Sequence, residues 1–135
     1  MSAFSNIPLQ AVLPLPAYDK SELERAAMRA DQIVLRCDCA NAGDKAAVLS
    51  KIGRDLFLTK YLDQNLADLY DGLTDLRPNG DAEQPGFVVI LENLPDCRRF
   101  GHPDRSELLD VFRKAADHFY DERTAFRVFY SVMKD

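Results

Sequence analysis

Hydrophobic positions along the chain change period several times, and each change marks an element. Ser21 followed by Glu24 is a capping-box pattern that opens a helix running to about Ala30. Residues 32–39, QIVLRCDC, are rich in β-formers and end in alternation, which predicts a strand. Gly43 and Asp44 break and cap, and Lys45 to Gly53 forms a second helix with Val48, Leu49 and Ile52 inward. Residues 61–74, YLDQNLADLYDGLT, read as a short helix with two unlike faces. Leu62, Leu66, Leu69 and Leu73 stack on one side at steps of four, three and four. The other side carries Asp68, Asp71 and Asp75, with Ala67 and Thr74 beside them.

Asn65 is placed to cap that helix, with Asp68 three residues on. Arg77 to Pro85 has loop composition. The run GFVVIL, Gly86 to Leu91, is continuously apolar, as in a strand buried on both faces of a parallel sheet. Leu94 to Pro103 reads mostly as loop. Asp104 with Glu107, or Ser106 alone, then caps a helix whose Leu108, Val111, Phe112, Ala115 and Phe119 face the core. Thr124 to Met133 closes the chain as a third strand. Strands alternating with helices imply an α/β fold with a small three-stranded parallel sheet covered by helices. Pro8, Pro14 and Pro16 argue against a helix or a central strand in residues 1–18. That apolar segment is expected to be an arm lying along a single domain of residues 19–135.

Composition narrows the partners. The net charge is −5 over 135 residues, which argues against direct nucleic-acid binding and against anionic membrane surfaces, since both need clustered Lys and Arg. Between Tyr61 and Leu76 there are four aspartates and no lysine or arginine. Such a face, edged by Tyr61 and Tyr70, suits a basic partner. No apolar run approaches the ~20 residues of a membrane span, and the N-terminus has no basic start, so a cytoplasmic location is expected. The three cysteines fit free thiols in a reducing compartment. Cys37 and Cys39 fall on one side of a strand; no second pair follows at zinc-finger spacing, and a thiol pair is the reading adopted. Arg98, Arg99 and Arg105 make a local basic spot, His102 a surface loop residue, and His118 suits a helix C-terminus. No nucleophile elbow, P-loop, HExxH or GxGxxG motif occurs, so no catalysis and no cofactor or metal is expected.

The order of elements and the residues of the acidic helix resemble the barstar family of intracellular ribonuclease inhibitors. The likeness runs from about Ser21 to Met133, through RCDCANAGDKAAVL, YLDQNLADLYDGLTDL, FVVILENL, LLDVFRKAADHF and AFRVFYSV. The family signature approximates Y-F/Y-G-x-N-x-D-A-L-x-D-x-L-x-x-L. Tyr61, Asn65, Leu69, Asp71, Leu73 and Thr74 match it. The resemblance implies that Asp71 is the anchor that enters the phosphate pocket of a ribonuclease, with Tyr61 and Tyr70 as aromatic contacts and Thr74 as a polar one. It implies a one-to-one complex with a cognate basic toxin. This sequence departs from the pattern at Thr59 and Asp63, at Tyr70, at Ala67 (with the acid displaced to Asp68), and at Lys114, where the family's last helix presents a glutamate to the enzyme. Those departures keep two alternatives open: an immunity protein of the same fold against a toxin that is not a ribonuclease, and a general protein-interaction domain. From the residues alone, Asp68 fits the positive end of a helix dipole as well as it fits a partner. Asp63 equally suits a cap, and the two tyrosines suit half-buried packing.

Overall fold

A computed structural model describes residues 4, 6–58 and 65–133. Its elements are β1 (Gln10–Pro14), a 3-10 turn (Leu15–Ala17), α1 (Lys20–Arg29), β2 (Ile33–Asp38), α2 (Lys45–Asp55), α3 (Leu66–Thr74), β3 (Gly86–Leu94), α4 (His102–Asp121) and β4 (Ala125–Val132). The strands form one all-parallel sheet in the order β1-β4-β3-β2. The α/β parallel architecture is as expected, with four strands in place of three. The fourth is β1, from the arm. Pro8 and Pro14 leave the residues between them free to pair, and an edge strand tolerates proline at its ends. Gln10 to Pro14 run beside Phe126 to Tyr130.

β3 explains why its sequence lacks alternation. Phe87, Val89 and Leu91 enter the larger core, while Val88 and Ile90 enter the smaller one. The larger core lies under α2, α3 and α4, and takes Leu69, Leu73, Phe112 and Phe119. The smaller one lies under α1, and takes Leu23, Ala27 and Phe129. Phe119 stacks on Phe126, with ring centroids 5.1 Å apart and planes 17° apart.

Two helix starts differ from expectation. α1 is capped by Asp19, whose carboxylate accepts from the N–H of Ser21 at 2.9 Å and of Glu22 at 3.3 Å; Ser21 is already inside the helix. α4 begins at His102, ahead of Asp104. Proline is acceptable in a first turn, where its missing N–H has no acceptor to lose. The Asp104 carboxylate then reaches back to the Gly101 N–H at 3.0 Å. Among the described residues no helix is long and apolar enough to cross a membrane.

Arg127 points from β4 into the side of the sheet that α1 covers and is only 4% exposed. It donates to the carbonyls of Pro8 at 3.1 Å and Ile7 at 3.4 Å, and to the Gln32 side-chain oxygen at 3.5 Å. Its guanidinium lies 4.3 Å from the centre of the Phe4 ring.

Candidate functional site

α3 starts where its sequence says it must. The Asn65 side chain accepts from the Asp68 N–H at 2.8 Å, which satisfies one of the free donors of the first turn. The buried side of the helix is Leu69, Gly72 and Leu73, with both leucines fully enclosed. A Cβ on Gly72 would come within 3.3 Å of Leu58, so the bare backbone lets α3 sit close to the chain following α2. With that side fixed, the helical period turns Ala67 and Asp71 to solvent. Asp71 is exposed, and its carboxylate has no side-chain partner among the described residues.

A groove of about 700 Å³ runs between α3 and α4. Leu66, Ala67, Tyr70 and Asp71 line it from α3; Val111, Lys114, Asp117, His118 and Asp121 line it from α4. Of the residues singled out in the sequence, Ala67, Tyr70 and Asp71 are therefore brought together, with Lys114 and His118 facing them. Asp68 and Thr74 are half-buried and lie off the groove. The Thr74 hydroxyl donates to the Tyr70 carbonyl at 2.9 Å and to the Asp71 carbonyl at 3.3 Å. Tyr70 is half-buried and packs against the main core with part of its surface. Tyr61, together with Thr59 and Asp63, lies outside the described residues.

The α4 wall was only partly legible. Lys114 stands out in the sequence and His118 is read there only as suiting a helix C-terminus, while Asp117 and Asp121 do not stand out, although their spacing places all four on one helical stripe. His118 is half-buried; its Nε2 is 3.4 Å from a Glu122 carboxylate oxygen and its ring is edge-on to Phe119. The wall thus carries one lysine followed by two aspartates, and the groove as a whole carries three aspartates. A surface of this kind offers carboxylates at fixed spacing to a cationic partner.

Other candidate chemistry lies apart from this groove. Cys37 and Cys39 are buried with Sγ atoms 3.7 Å apart. The contact with Cys39 and burial push the Cys37 thiol up, which keeps it protonated. Among the described residues, no three His, Cys, Asp or Glu side chains cluster as metal ligands would. Cys97 is exposed, with its Sγ 3.6 Å from the Gly43 carbonyl. Asp38, at the end of β2, is held below the usual carboxylate range, first by the Asn93 amide at 3.0 Å and then by the Ala40 N–H at 2.9 Å.

A family model described as Barstar (barnase inhibitor) matches residues 32–131, which spans β2 to β4 and includes both walls of the groove. No curated protein matches the chain.

Proposed function

We propose that this chain, which belongs to the barstar (barnase inhibitor) family, binds a basic ribonuclease toxin one to one and closes its active site with the exposed face of α3. A ribonuclease must hold a polyanion, so its catalytic cleft presents cations around a phosphate pocket. A carboxylate delivered on a rigid support can take the phosphate's place. The observation that carries the reading is Asp71: exposed and unpaired among the described residues, on a helix whose opposite side is anchored by the fully buried Leu69 and Leu73. The anchoring means that little ordering is needed on binding. Ala67, Tyr70 and the α4 residues of the groove frame that carboxylate, and Asn65, Asp68 and Thr74 act by shaping the helix; for Tyr61, outside the described residues, an aromatic contact is proposed from the sequence resemblance alone. The net charge of −5 favours fast encounter with a cationic enzyme, which suits an inhibitor acting in the cytoplasm where the toxin is made or delivered.

The test is RNA cleavage by barnase-type ribonucleases in the presence of equimolar chain. Wild type is expected to abolish cleavage by its cognate enzyme, and Asp71→Ala to weaken the complex by at least ~2 kcal/mol, the threshold for a dominant interface residue. Equal inhibition by both proteins would remove Asp71 from the role. A second reading, a toxin of the same charge that is not a ribonuclease, is favoured by Lys114, a cation within the groove. Protection of cells from a co-expressed toxin that leaves RNA intact would select it.

A further inference from the structure

We propose that the segment Ile7–Pro14 is an autoinhibitory strap. It occupies the edge of β4 that would otherwise pair with a second copy of this chain, and Arg127 is its catch. The two edges of the family-matched part of the sheet are unlike. β2 defends its own edge with the exposed charged side chains Arg36 and Asp38. β4 has no such defence. Its sequence AFRVFYSV holds two phenylalanines, a tyrosine and two valines in eight residues, with Arg127 as its single charge. An uncovered edge of that composition pairs with a copy of itself. Residues 1–31, which supply β1, fall outside the family match, so the cover is an addition to the matched part.

β1 is built to cover without offering a new edge. It is five residues long, ends at Pro14 and follows Pro8; prolines at both ends discourage further pairing. Phe126 donates its N–H to the Leu9 carbonyl at 2.7 Å. By the alternation of a parallel ladder, the amides of Ala11 and Leu13 then face β4. The catch lies just before the strand. Arg127 sits opposite Ala11, and its guanidinium is satisfied by carbonyls of the strap, the Gln32 side chain and the Phe4 ring. No ion pair to Arg127 is found among the described residues. A guanidinium this deeply buried needs its acceptors, so strap release and exposure of Arg127 to water are one event.

Hydrogen exchange and sedimentation on the full chain test this. In Arg127→Gln, the Ala11 and Leu13 amides are expected to exchange at least about tenfold faster than in wild type, the factor that follows from losing one charged hydrogen bond. Val89 and Leu91 in β3 are expected to keep their wild-type rates, and the fraction of dimer to rise with concentration above that of wild type. Leu13→Pro, which removes one ladder amide without touching Arg127 or the main core, is expected to act in the same direction and decides the matter if Arg127→Gln does not fold. Exchange at the pace of Val89 by the Ala11 amide in both variants, and by the Leu13 amide in Arg127→Gln, would overturn the strap. Faster exchange with no increase in association would overturn the second copy as occupant. Neither outcome depends on the identity of the toxin.

Discussion

Gly86→Ala is the sharpest test of how the central strands meet. Gly86 opens β3 and pairs with Ala125, the first residue of β4. A Cβ added there would lie 2.6 Å from the Ala125 Cβ, 2.8 Å from its carbonyl oxygen and 3.1 Å from its Cα. Two of these contacts are closer than side chains tolerate, and two involve backbone. Ala125 is fully buried and its N–H is held by the Pro85 carbonyl at 2.9 Å, so no rotamer change relieves the clash and the strands must part locally. Overpacking of that kind costs up to about 3 kcal/mol. Against it, alanine restricts the unfolded chain more than glycine does and returns about 0.5–1 kcal/mol. The net loss is then about 2 kcal/mol, a large share of the roughly 5–15 kcal/mol that holds a domain together. Urea unfolding followed by circular dichroism reads it as a lower midpoint at unchanged slope. Adding Ala125→Gly removes the 2.6 Å contact and leaves the 2.8 Å carbonyl contact, so the double variant should recover part of the loss, with a coupling of at least ~0.5 kcal/mol. A single variant as stable as wild type, or a double variant with no coupling, would refute the close-approach argument.

Three further outcomes follow from other sites. Leu73→Ala empties a fully enclosed position under α3 and should cost about 2–5 kcal/mol in the same unfolding assay. Asp71→Ala, by contrast, removes an exposed side chain with no internal partner among the described residues and should leave stability within about 0.5 kcal/mol; a larger loss would mean that the residue serves the fold. Asp38 has its folded pKa lowered by the Asn93 amide and the Ala40 N–H, so its stabilising effect is present above the ordinary aspartate value of about 4 and is lost as pH falls through the lower folded value. Wild type should therefore exceed Asp38→Asn in melting temperature at neutral pH, with the gap narrowing below about pH 4; a gap independent of pH would contradict the assignment.

The elements whose burial is dictated locally were legible in the sequence. GFVVIL announced a strand covered on both faces because each face has its own core. Asn65 announced the start of α3 because a cap needs only its own turn. What was not legible depends on distant residues. Prolines argued against a helix or central strand in the arm, and whether such a segment pairs as an edge depends on β4, more than a hundred residues away. The Gly-His-Pro stretch read as loop because proline usually ends helices; at α4 it sits in the first turn and the Asp104 carboxylate holds Gly101. The groove required knowing which stripe of α4 faces α3. Lys114 alone hinted at it.

That stripe also gives physical meaning to the displaced acid on α3. Successive residues of a helix point about 100° apart, so moving a carboxylate from position 67 to 68 is a change of direction and not a small shift. Ala67 lines the groove and Asp68 does not. The α3 wall is therefore left with one carboxylate in the groove, at Asp71, while α4 supplies Lys114 and, further along the same stripe, Asp117 and Asp121. Two of the three groove aspartates thus lie on the α4 wall, on the same wall as the lysine. An interface discriminates by where its charges lie more than by their sum, because a like charge brought into contact costs more than a matched one returns. On the proposed function, a partner fitted to this groove places its cations towards α4 and leaves the position of Lys114 neutral or acidic. Lys114→Glu should then weaken the cognate complex even though it makes the groove more negative, and tighter binding by that variant would show that net charge, not arrangement, sets the choice of partner.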